Sequence, residues 1–171
     1  MDTTTKLHLC CGPRQRFPES LGWLNVDASD FGFNIVADLG GPWGFVEPES
    51  VDYIVCNDGF EHMADHQHFL SEASRVLKVG GRMELWVPHF KNPSAYRITH
   101  RSFYSWSLWD AYPEPHDATR NLKVVSNRIY VGHEHGPMAP INWLANVSPK
   151  WWERLAYVSN VKVILQKQAL A

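Results

Sequence analysis

The stretch from Val51 to Val87 constrains the fold more than any other part of the chain. Val51-Asp52-Tyr53-Ile54-Val55-Cys56 is an apolar-rich run between Glu49-Ser50 and Asn57-Asp58, and it reads as a largely buried strand. Over residues 66–78, apolar side chains recur at Phe69, Leu70, Ala73, Val76 and Leu77, the 3.6-residue spacing of a helix. Asp65 stands where an N-cap belongs and Gly80-Gly81 where a helix stops. Residues 82–87 form a second strand, cut by Pro88. A strand, a helix and a strand in close succession predict a crossover in a parallel sheet.

Three shorter strands precede this unit: residues 6–10, ended by Gly12-Pro13; residues 23–27, after a loop with Pro18 and Gly22; and residues 34–38, closed by Gly40-Gly41-Pro42. The second half is less regular. It predicts a helix over 102–111, a turn at Tyr112-Pro113-Glu114-Pro115, a strand over 123–131, short helices within 137–149 and over 149–157, and a last strand over 161–166. With 171 residues, no internal repeat and no linker, one domain is expected.

Charge and composition narrow the function. A formal net charge of -2 and no basic stripe argue against nucleic acid as a partner. No apolar run approaches the length of a membrane span, and the polar residues 1–5 resemble no secretory signal. Cys10, Cys11 and Cys56 cannot all pair, so a reduced, cytoplasmic protein is expected. Eight tryptophans, among them Trp106, Trp109, Trp143, Trp151 and Trp152, read as core packing or as a partner surface.

Chemistry-bearing residues gather at strand ends. Small residues in Leu9-Cys10-Cys11-Gly12 let a backbone approach a ligand closely, and ligands of open α/β sheets bind outside the carboxyl ends of strands. Asp27 ends the second strand, where a carboxylate can accept both hydroxyls of a ribose or cap a turn. Asp38 ends the third and is suited to an adenine amino group. The pattern G-x-G-x-x-G is missing, which argues against a dinucleotide-dependent dehydrogenase. The histidine pairs His66-Gln67-His68, His116-Asp117 and His133-Glu134-His135 lack metal-motif spacing, so no metal is expected.

These blocks occur in a telling order: Gly22-Trp23-Leu24-Asn25-Val26-Asp27, Ser50-Val51-Asp52-Tyr53-Ile54, Glu61-His62, Arg75-Val76-Leu77-Lys78-Val79-Gly80-Gly81 and Val87-Pro88-His89. Together they resemble the small class I S-adenosylmethionine (SAM)-dependent methyltransferases of the methyltransferase-11 type, over about residues 6 to 105. The resemblance implies a Rossmann-like α/β fold with a mostly parallel sheet of seven strands, the last antiparallel, flanked by helices. Residues 1–89 would be the cofactor-binding core, 90–121 a segment over the substrate, and 122–171 the carboxyl-terminal strands and helix.

The resemblance also assigns roles. SAM would lie against Leu9, Cys10, Cys11 and Gly12, with its ribose on Asp27 and its adenine against Asp38 and Leu39, and Asn57 facing the cofactor. His62, His89 and His100 are the candidate proton acceptors, because an imidazole titrates near neutral pH. Tyr96, Arg101, Phe103 and Trp106 would touch the substrate, a small molecule or glycan. His8 stands where the family has an acid or Asn, Cys10 where it has Gly, and the loop before the second strand leaves little room for the usual first helix. A second reading is a degenerate domain that senses SAM or binds a protein. The sequence specifies neither the methyl acceptor nor an oligomeric state.

Overall fold

A computed structural model describes residues 4–112, 119 and 121–169. Residues 113–118, which include most of the expected proline turn and the His116-Asp117 pair, lie outside the described residues. The strands are β1 (Lys6–Leu9), β2 (Trp23–Asp27), β3 (Ile35–Val36), β4 (Val51–Asn57), β5 (Leu77–Pro88), β6 (Leu122–Tyr130) and β7 (Asn160–Lys167). The helices are α1 (His66–Val76), α2 (Trp106–Asp110), α3 (Ala139–Ala145) and α4 (Pro149–Leu155).

All seven strands form one sheet in the order β3-β2-β1-β4-β5-β7-β6. Pairings from β3 through β5 are parallel, and β7 runs antiparallel to both its neighbours. The expected mostly parallel sheet with an antiparallel last strand is therefore present. Leu9 lies level with Val26 and Cys56, so β1, β2 and β4 release their carboxyl ends at one edge.

Alternation along the strands separates two faces. Leu7, Leu9, Ile54, Cys56, Met83, Leu85, Val163 and Leu165 are buried on one face, in the same core cluster as Phe69, Leu70, Ala73 and Val76 of α1. The opposite face is polar. Tyr53 Oη donates to Glu84 Oε2 at 2.8 Å, and Lys162 bridges Glu84 (3.0 Å) and Glu134 (3.1 Å).

On that polar face the segment between β1 and β2 holds only the 3-10 turn Glu19–Leu21. A staple takes the place of a helix. Asn25 accepts from Phe17 N–H and donates to Phe17 O, both at 2.9 Å, and so holds the loop against the sheet. His8 stacks on the Phe17 ring at 4.1 Å and approaches Asn25 Oδ1 at 3.3 Å. Burial is the main cause holding the His8 imidazole below its ordinary pKa. His8 is thus part of the packing that replaces the helix.

Several boundaries differ from expectation for identifiable reasons. Asp65 does cap α1, accepting from His68 N–H at 2.9 Å, but the helix ends at Val76 and β5 begins at once. Leu77 already pairs with Val51, and the register then slips before Tyr53 pairs with Arg82. Gly80 and Gly81 sit in that slip rather than at a helix end. Gly80 has φ +86°, and a Cβ on Gly81 would come 2.9 Å from Lys78 O and 3.1 Å from Val51 O. The helix expected over 102–111 shrinks to α2, because Ser105 caps it by accepting from Leu108 N–H, and Tyr104 instead forms a parallel bridge with His89.

Candidate active site

The cofactor side is built by the three loops that leave β1, β2 and β4. After Leu9, which is buried in the core, the chain turns through Cys10 (φ 55°) and Gly12 (φ 57°). Cys11 N–H donates to Val26 O at 3.2 Å, and Gly12 N–H donates to Asp27 Oδ2 at 3.0 Å. Ser29 N–H reaches the other Asp27 oxygen at 3.0 Å. A carboxylate has about four lone-pair sites, so Asp27 retains acceptors for a pair of hydroxyls. Among the described residues nothing lies within 4 Å of a Cβ built on Gly12, which leaves an open cradle beside that carboxylate. These residues fit the methionine and ribose ends of SAM.

Cys10 occupies its glycine-like position at the expense of a neighbour. A Cβ on Gly59 would come 2.4 Å from Cys10 Cβ, 2.7 Å from Cys10 Sγ and 3.0 Å from Cys56 Sγ. The Cys10 side chain therefore fills the space that Gly59 leaves. Asp38 is exposed and accepts from Gly40 N–H at 2.9 Å, whereas Leu39 turns into the core beside Trp43. Asn57 is half-buried at the end of β4, one residue before Asp58, which lines a polar cavity.

Next to Asn57 the chain enters the 3-10 turn Phe60–His62. Arg101 N–H donates to Glu61 O at 2.8 Å, and Phe90 N–H donates to Tyr104 O at 2.8 Å, so residues 97–105 are laid against this turn. Docking encloses a polar cavity of about 200 Å³ lined by Asp58, Glu61, His62, Arg97 and His100 among others. His62 and His100 meet edge to face, 4.6 Å between centroids. Glu61 is 1% exposed, and burial pushes its carboxyl up to about 7. Burial, with His62 and Arg97 adding to it, holds His100 below the ordinary histidine value. Glu61 and Arg97 were not singled out as site residues from sequence. The Glu61-His62 pair was the one signal for the first, and nothing in the spacing marked the second.

A second cavity of about 670 Å³ lies between α1 and the segment 102–112, with Phe60, Leu70, Phe103, Tyr104 and Trp109 in its walls. Of the residues expected to touch substrate, Phe103 lines this cavity. Tyr96, outside the cavity, packs against Phe103 with the rings tilted by 40° and 5.0 Å between centroids, and Arg101 is exposed. Trp106 lines neither cavity. Its Nε1–H donates to Asn127 O at 3.1 Å and its carbonyl accepts from Asn127 Nδ2 at 2.9 Å, which ties α2 to β6.

His89 also departs from expectation. It is wholly buried, its Nδ1 accepts from Lys91 N–H at 3.1 Å, and its Nε2 donates to Glu153 at 2.9 Å. Both ring nitrogens are occupied, which leaves none for a substrate proton. Arg75 is structural in the same way. It binds Glu72 and donates to Trp43 O at 3.0 Å, fastening the loop after β3 to α1.

The chain matches the methyltransferase-domain family over residues 35–85. No curated protein sequence matches it. Among solved structures it is similar to a putative methyltransferase in complex with the Haloferax volcanii Trm112 activator (TM-score 0.64, 17% identity, 98% of this chain and 84% of that one). It is also similar to a putative sarcosine dimethylglycine methyltransferase from Galdieria sulphuraria (0.64, 16%, 97% and 79%). A third is a SAM-dependent methyltransferase from Archaeoglobus fulgidus (0.65, 13%, 96% and 86%). The strand order is that of the class I methyltransferase fold, and the match over residues 35–85 falls chiefly on the strands and helix at the centre of that sheet.

Proposed function

We propose that the chain transfers the methyl group of SAM to a small-molecule or glycan acceptor held at the carboxyl ends of β4 and β5. One observation carries this reading: the Gly12–Asp27 cradle and the cavity of Glu61, His62 and His100 lie at the ends of the neighbouring strands β1 and β4. When bound, SAM supplies an electrophilic methyl on a sulfonium. The residues then have to hold and orient. Asp27 takes the ribose hydroxyls, Asn57 borders both partners, and His62 and His100 hold the reacting end of the acceptor. In-line positioning in a water-poor pocket supplies much of the rate of such a displacement.

Related folds include a geranyl diphosphate methyltransferase solved with SAM, which supports a small acceptor. The larger, apolar cavity beside Phe103 and Trp109 suits an apolar or ring-bearing body. Calorimetric titration with SAM and S-adenosylhomocysteine tests the reading. Micromolar binding to the native chain and at least about a tenfold loss in Asp27→Ala are expected, since an acceptor pair for two hydroxyls disappears. No binding by a chain with a normal melt would overturn it.

A second reading is an interaction module. It is favoured by the exposed apolar side chains of α3 and α4, with Trp143 72%, Trp151 62% and Leu155 80% exposed. No helix among the described residues is long and apolar enough to cross a membrane.

A further inference from the structure

Glu61 and His62 come from the turn after β4, and His100 from the segment laid over it, so no spacing rule could have joined them. In the fold a carboxylate oxygen of Glu61 and one ring nitrogen from each histidine lie within 4.8 Å of one another. Three features go beyond mere proximity. The His62 Nδ1 is 3.1 Å from Thr99 O, which makes Nδ1 the N–H and leaves Nε2 a free lone pair. An imidazole oriented by a backbone carbonyl in this way is the usual outer-sphere arrangement of a metal-binding histidine. Among the described residues, Glu61 Oε2 is buried with no hydrogen-bond partner, and the His100 ring is held by the Ala95 backbone, as a carbonyl holds His62. A buried carboxylate oxygen without a partner is costly unless a further group satisfies it.

We propose that Glu61, His62 and His100 bind a divalent transition-metal ion whose remaining coordination positions open onto the 200 Å³ polar cavity. Two imidazoles and one carboxylate suit Zn²⁺, Co²⁺ or Fe²⁺ rather than Mg²⁺ or Ca²⁺, which favour all-oxygen shells. Bond lengths of about 2.0–2.2 Å require the donors to draw closer than they stand, and rotation of the exposed His62 ring and the half-exposed His100 ring supplies that. Arg97 on the cavity wall opposes a cation, and the carboxylates of Asp58 and Glu61 outnumber it. The open positions would take an oxygen or nitrogen donor of the acceptor. That last step rests on the methyl-transfer reading, whereas the metal site itself does not.

The test is titration of the chelator-treated whole chain with Zn²⁺ and with Co²⁺ alone. A single equivalent should bind with Kd of about 10 µM or tighter. His62→Ala, His100→Ala and the near-isosteric Glu61→Gln should each weaken it by about 10–100-fold, with thermal melts recorded beside each. A His133→Ala/His135→Ala chain should bind as the native one does. The Co²⁺ adduct should show visible ligand-field bands without a thiolate charge-transfer band. Absence of saturable binding up to about 100 µM would overturn the proposal. So would binding that survives His62→Ala/His100→Ala, or a thiolate band that assigns the metal to Cys10 and Cys56. SAM titration of the same sample is read separately: metal bound without SAM overturns the methyltransferase reading alone, and SAM bound without metal overturns this one alone.

Discussion

Replacing Glu153 with alanine should be among the most damaging single changes away from the cofactor cradle. Glu153 lies on α4, is largely buried, and gathers three donors from other segments: His89 Nε2 at 2.9 Å, Trp106 N–H at 2.5 Å and Ser107 Oγ at 2.8 Å. Burial alone would raise its carboxyl, but the His89, Ser107 and Trp106 hydrogen bonds outweigh that and hold it below the ordinary value. In Glu153→Ala the wholly buried His89 N–H loses its acceptor, at about 1–3 kcal/mol. The Trp106 N–H adds about 1–2 kcal/mol, and the exposed Ser107 turns to water at little cost. The sum is about 2–5 kcal/mol, the cost of leaving two buried donors without their shared acceptor.

Against a total stability of about 5–15 kcal/mol, this is a large fraction. At about 2–4 °C per kcal/mol for a chain of this size, the melting temperature should fall by about 4–20 °C. Urea unfolding followed by tryptophan emission, with near-UV circular dichroism as second probe, measures it. Glu153→Gln keeps the shape and two acceptor lone pairs, and Ser107 can reverse to accept from the amide, so about 1–2 kcal/mol is expected there. A loss below about 1 kcal/mol in Glu153→Ala would refute the claim that this carboxylate holds α2, α4 and the exit of β5 together.

Three further outcomes rest on the same kind of complementarity. Gly59→Ala should lose about 1–3 kcal/mol because its methyl meets Cys10 at 2.4 Å, and Cys10→Gly in the same chain should recover most of it, read by chemical denaturation. His8 and His89 are both held below the ordinary histidine value of 6.5, chiefly by burial, so the unfolded chain binds more protons around and below that pH. Their contribution to stability should be full above about pH 6.5 and be lost as pH drops towards the folded values, against the opposite contribution of Glu61, so the native-minus-His8→Gln difference in urea titrations from about pH 7.5 to 5 should shrink as pH falls. Trp43→Ala should cost about 3–5 kcal/mol, since the wholly buried ring packs on Phe69 at 5.1 Å and donates to Leu39 O at 3.2 Å.

The parts of this fold that were legible are those in which a local rule and the tertiary environment agree. The β2 limits could be read directly because Gly22 precedes the strand and its burial matches its composition. The Asp65 cap and the Phe69-Leu70-Ala73-Val76 face of α1 were equally plain. Legibility failed where a long-range partner overrode local pattern. Leu77 belongs to the helix by periodicity, yet pairing with Val51 draws it into β5. Ser102 to Tyr104 fit a helix, yet the bridge to His89 extends them. His89 was a candidate because the family resemblance puts it on the substrate side and an imidazole titrates near neutral pH, and only the arrival of Glu153 from 64 residues away occupies it.

The same logic explains the two departures at the first strand. His8 and Cys10 read as defects when each is compared with a family pattern one position at a time. In the fold each has its complement elsewhere. His8 has the Phe17 ring and Asn25, which together fasten the loop that stands in for a helix. Cys10 has Gly59, whose missing Cβ leaves room for its thiol. The Gly59→Ala/Cys10→Gly chain tests whether the packing of Cys10 against Gly59 bears on function as well as on stability. If the cradle is intact for SAM, the exchanged pair should recover SAM affinity as well as stability. Stability recovered without SAM affinity would mean that the thiol serves packing alone.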